Sequence, residues 1–82
     1  MEKFIGILRI STRRETALEV QKILTEYGCN IKTRLGIHDG VVDQCSDEGL
    51  VILELVGEKD HLTAMVESLN KVAGAKAKLE SI

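Results

Sequence analysis

A chain of 82 residues is the size of one domain, and so small a domain buries only roughly 60 to 65% of its unfolded surface, so contacts with further chains would widen a narrow stability margin. With 44% hydrophobic and 29% charged residues it reads as a soluble globular domain spanning 1–82, not a disordered tail. A net charge of −2 gives no overall attraction to a polyanion, which argues against direct nucleic-acid binding. The apolar runs are too short for a membrane span or a signal peptide, so the expected location is the cytoplasm. Cys29 and Cys45 lack CxxC spacing and are expected as free thiols.

Residues 3–11 predict a first strand, and Phe4 to Ile10 is apolar at nearly every position, hence on both faces of that strand. Ser11 and Thr12, with Glu15 three residues beyond Thr12, form a capping-box pattern that starts a helix running to about Tyr27. Its inward stripe is Ala17, Val20, Ile23, Leu24 and Tyr27, and Gly28 stops it. From Cys29 the period becomes two. Cys29, Ile31, Thr33, Leu35 and Ile37 alternate with Asn30, Lys32, Arg34, Gly36 and His38, as a half-buried strand requires. Asp39-Gly40 predicts a turn or bulge, Val41-Val42 an extension of the hairpin, and 43–49 a polar stretch. Leu50 to Val56 is the second doubly apolar strand, ended by Gly57. Glu58 or Asp60 is then expected to cap a second helix with the stripe Leu62, Met65, Val66, Leu69 and Val72. After Gly74, Ala75, Ala77 and Leu79 alternate with Lys76, Lys78 and Glu80 in an edge strand.

The order βαββαβ resembles the ferredoxin-like sandwich, an α+β fold whose antiparallel sheet has strand order 4-1-3-2 and two helices on one face. That order makes the two doubly apolar strands central, and this central pair is expected to run parallel. If Phe4, Gly6, Leu8, Ile10, Val51, Leu53 and Leu55 face the helices, then Ile5, Ile7, Arg9, Leu50, Ile52, Glu54 and Val56 lie on the open face. Arg9 and Glu54 are expected to form an ion pair there. Lys32, Arg34 and His38 would edge the face on one side, with Lys76 and Lys78 on the other. An apolar centre with a charged rim is the anatomy of an interface, and another copy of the chain is its expected partner.

Chemistry has less to stand on. His38 and Cys45, near Asp39, Asp43 and Asp47, supply the softest ligand pair, which fits a metal sensor only if two subunits share the site. The turn Ser11, Thr12, Arg13 and Arg14 offers hydroxyls, guanidiniums and a helix N-terminus to a carboxylate or phosphate effector, and Arg34 and His38 could join it across a subunit boundary. Arg13 or Arg14 with Asn30 loosely matches the residues of acylphosphatases, but the glycine-containing phosphate cradle is missing. No nucleophile elbow, Walker loop or dinucleotide fingerprint occurs, so the expectation is a non-enzyme without a cofactor. One Phe and one Tyr leave no stacking platform for RNA.

The segments Ile5-Gly6-Ile7-Leu8, Arg34-Leu35-Gly36-Ile37-His38 and Gly49-Leu50-Val51-Ile52-Leu53 resemble the iron-only hydrogenase system regulators, a family of small ACT-like domains. The resemblance implies a regulatory module that assembles as a homo-oligomer and senses a small ligand or acts through a partner protein. The chain departs from amino-acid-binding ACT domains in having no glycine in the loop 11–14. It departs from nickel-responsive repressors in having only His38 and His61 as histidines.

Overall fold

A computed structural model describes residues 2–11, 14–38 and 48–82, with backbone alone at 37, 38 and 48. The elements are β1 (Phe4–Ser11), α1 (Arg14–Glu26), β2 (Ile31–His38), β3 (Glu48–Leu55), α2 (Lys59–Asn70) and β4 (Ala75–Ser81). The sheet order is β2-β3-β1-β4, the expected 4-1-3-2 read from the other edge. The central pair, expected to be parallel, is antiparallel, from Phe4 opposite Leu55 to Ser11 opposite Glu48. The reason is topological. The crossover through α1 sets β2 parallel to β1 one strand position away, and β3 fills the gap antiparallel to both.

Burial alternates along the central strands from Phe4 to Arg9 and from Leu50 to Leu55. Phe4, Gly6, Leu8, Val51, Leu53 and Leu55 are buried, and Leu62, Met65 and Leu69 of α2 close over them. On α1 the buried residues are Thr16, Val20 and Leu24, whereas Ala17, placed in the stripe by sequence, is exposed. Thr16 enters the core because its hydroxyl donates to the Ala73 carbonyl at 2.9 Å, so burial leaves no polar group unpaired.

Three further expectations shift by a few residues. Cys29 and Asn30 are not strand but part of a 3₁₀ turn at Gly28–Asn30, and β2 starts at Ile31. Glu48 and Gly49 belong to β3 rather than to the polar stretch. Glu58 is at the N-cap position of α2 without a side-chain capping bond, and Asp60 lies inside the first turn, where its charge complements the helix dipole.

Gly74 makes the turn into β4. Its φ of 89° is a left-handed conformation, and an added Cβ would come within 2.9 Å of Thr16 Oγ1 and 3.1 Å of Ser11 Cβ. The Gly74 carbonyl accepts from the Ser11 amide at 2.8 Å, tying the end of β1 to this turn. Asn70, the last residue of α2, closes part of the β4 edge. Its Nδ2 donates to the Ala77 carbonyl at 3.0 Å and its Oδ1 accepts from the Ala77 amide at 2.8 Å, as a neighbouring strand would.

Candidate functional site: the open face of the sheet

The face of the sheet away from the helices is a grid read from the strand registers, because directly opposed residues of antiparallel strands share a face. One row across β2, β3, β1 and β4 is Thr33, Glu54, Ile5 and Glu80. The middle row is Leu35, Ile52, Ile7 and Lys78. The third is position 37, Leu50, Arg9 and Lys76. Ile5, Ile7, Leu50 and Ile52 are half-buried, Leu35 is 55% exposed, and Arg9, Lys76 and Lys78 are exposed.

A β-bulge explains how Leu35 reaches this face. Ile31 opposes Leu55 and Thr33 opposes Glu54, so two steps on β2 match one on β3 and Lys32 is the extra residue. The alternation of β2 therefore changes phase: Ile31 packs against the core, while Thr33 and Leu35 join the open face. Arg34, expected on the open face, lies on the helix side opposite Leu53, and its Nη1 donates to Gln21 Oε1 of α1 at 2.9 Å. His38 is opposite Gly49, and its side chain is outside the described residues.

The expected Arg9–Glu54 ion pair is overturned by register. Arg9 opposes Leu50 and Lys76, whereas Glu54 opposes Ile5 and accepts a 2.9 Å hydrogen bond from the Thr33 hydroxyl. Four residues of β3 separate the two charges, roughly 13 Å along the strand. Lys78 and Glu80 form an exposed ion pair at 3.6 Å.

The other candidates are dispersed. Thr12, Arg13, Asp39, Asp43, Cys45 and Asp47 lie outside the described residues, which includes the cysteine of the His38 and Cys45 metal pair. Among the described residues no group of three or more His, Cys, Asp or Glu could hold a metal ion. Arg14 is exposed at the start of α1, and a groove of about 550 Å³ beside Ser11 and Gly74 is lined, among the described residues, by the carboxylates Glu15 and Glu19. Asn30 is at the opposite end of the sheet from Arg14, with its Nδ2 donating to the Val56 carbonyl at 2.9 Å. Arg14 and Asn30 are therefore not brought together within the chain, and Arg13, the other arginine considered for an acyl-phosphate hydrolase, lies outside the described residues. Cys29 is an exposed free thiol, and His61 is exposed with its ring 4.8 Å from that of Tyr27. Among the described residues no helix is long and apolar enough to cross a membrane.

Sequence reasoning placed Ile5, Ile7, Arg9, Ile52 and Glu54 on this face correctly and missed Leu35 and Thr33. No family model and no curated protein matches the sequence. Solved structures do. An uncharacterized protein from Thermotoga maritima superposes with a TM-score of 0.85 at 18% identity, covering 100% of this chain and 99% of that one. The ACT domain from GTP pyrophosphokinase of Chlorobium tepidum gives 0.66 at 19% identity, over 100% and 97%. The regulatory subunit of aspartate kinase from Thermus thermophilus gives 0.59 at 22%, over 96% of this chain and 50% of that one. With the β2-β3-β1-β4 order, these likenesses show that the chain has the ferredoxin-like, ACT-like fold.

Proposed function

We propose that the chain is a non-enzymatic, homo-oligomeric ACT-like regulatory module that assembles through its open sheet face. The observation that carries this reading is the middle row of that face, where Leu35, Ile52 and Ile7 stand side by side with no helix above them among the described residues. The likeness in fold to a regulatory subunit and to an ACT domain supports the regulatory half. The resemblance of 5–8, 34–38 and 49–53 to iron-only hydrogenase system regulators supports a setting in hydrogen metabolism. A small carboxylate or phosphate effector is assigned to the turn Ser11 to Arg14.

Sedimentation of the purified chain at micromolar concentration is the direct test: an oligomer is expected, and a stable monomer overturns the proposal. Arg9→Ala then weakens assembly more than Arg13→Ala, because Arg9 stands in the grid and Arg13 beyond the end of β1. Equal and negligible effects would remove the open face as the surface of assembly. Loss of the chain from its host alters hydrogenase activity; unchanged activity would remove the hydrogenase link alone.

A further inference from the structure

The open face is electrically polarised along its strands. Glu54 and Glu80 lie in the row at one end, Arg9 and Lys76 in the row at the other, and the aliphatic middle row between them is flanked by Lys78. Two such faces can stack about a two-fold axis in either of two ways. An axis parallel to the strands keeps each row over itself and exchanges the edges, which sets Lys78 over Leu35 of the second copy and Glu80 over its Thr33. An axis across the strands reverses the row order and keeps each strand over its own counterpart. Leu35, Ile52 and Ile7 then meet their own copies, as does Lys78, whose charge is offset by Glu80 of its own chain at 3.6 Å, and Glu80 faces Lys76 of the second copy twice over. Arg9 meets Ile5 of the second copy, which lies between that copy's Glu54 and Glu80.

From this charge pattern we infer that the partner of the open face is a second copy of the chain, stacked about a two-fold axis that runs across the strands through the row Leu35, Ile52, Ile7 and Lys78. The inference rests on the oligomeric reading above and adds its geometry. Both axes stack aliphatic side chains, Ile52 on Ile7 under the first, but only the second covers Leu35 with an apolar side chain and opposes unlike charges, two Glu80–Lys76 contacts against one like pair of Lys78 with its own copy; opposed unlike charges are how an isologous interface fixes its orientation. Four strands spaced ~4.8 Å apart and about 25 Å long cover ~500 Å² on each copy, so the pair buries about 1,000 Å², at the lower bound of a specific interface.

Charge reversal tests it. Lys76 and Glu80 are exposed and four residues apart on one strand, about 13 Å, too far to pair directly within a chain; Lys78 between them pairs with Glu80, so both reversals are made in a Lys78→Ala parent to exclude rescue through it. Lys76→Glu alone and Glu80→Lys alone should each weaken the dimer at least tenfold by sedimentation velocity, and the double variant should return to within threefold of the parent. Mixed in equal amounts, the two single variants should form heterodimer beyond half of all dimer by native mass spectrometry, since each supplies the charge that the other lacks. The neutral variants Lys76→Gln and Glu80→Gln should weaken the dimer less than the reversals, with circular dichroism confirming the fold. A parent dimer indifferent to both reversals, or reversals that the double variant does not rescue, overturns the axis and leaves the homo-oligomer reading intact. A monomeric unsubstituted chain overturns both.

Discussion

The two faces of β1 and β3 differ less in composition than in cover. On the inner face Leu8, Leu53 and Leu55 are almost wholly buried beneath α1 and α2. On the outer face Ile5, Ile7 and Ile52 are only half-buried, shielded by neighbouring strands, and Leu35 beside them is more than half exposed. Aliphatic side chains therefore serve two ends within one strand, every other residue holding the fold and the residues between them offered outward. The inner set acts within the chain; the outer set acts only when something covers it.

Adjacent residues of β3 give the largest contrast. Leu53→Ala should cost about 2–5 kcal/mol of unfolding free energy, the range for a buried leucine whose cavity the core cannot refill. Denaturant titration should show that loss at every protein concentration. Ile52→Ala, one residue back and on the other face, should cost the diluted monomer only about 1 kcal/mol, with the larger loss appearing in assembly as concentration rises. Equal, concentration-independent losses for the two would erase the distinction between the faces. A smaller effect belongs to the β4 edge: Asn70→Ala removes two bonds to Ala77, at about 1 kcal/mol in total, and should speed hydrogen exchange of the Ala77 amide while sparing the Leu53 amide. Smallest of all, Lys78→Ala breaks only an exposed ion pair and should leave the melting temperature of the diluted chain unchanged.

Much of the inner face was legible from periodicity alone. The period of two fixes which residues of β1 and β3 share a face, and Arg9 and Glu54, the only charges in 4–10 and 50–56, mark the outer one; the three- and four-residue spacing in α2 identifies its buried positions, because regular elements carry their period into the core. Thr16 was not legible, since its place depends on the Ala73 carbonyl, far away in sequence. Nor was the separation of Arg9 from Glu54, which only strand register determines. The phase of β2 was the least accessible. Ile31, Lys32 and Thr33 read as ordinary alternation, and nothing in the residue types marks Lys32 as the unpaired one.

That bulge makes the outer surface sensitive to chain length as well as to side-chain identity. A deletion at position 32 that kept the β3 register downstream would leave β2 in place, but one that drew 33–38 back by a single step would turn that stretch over. Leu35 would leave the surface and Arg34 would lose Gln21 of α1. A lineage could thus gain or lose the aliphatic middle row of the open face through one inserted or deleted codon.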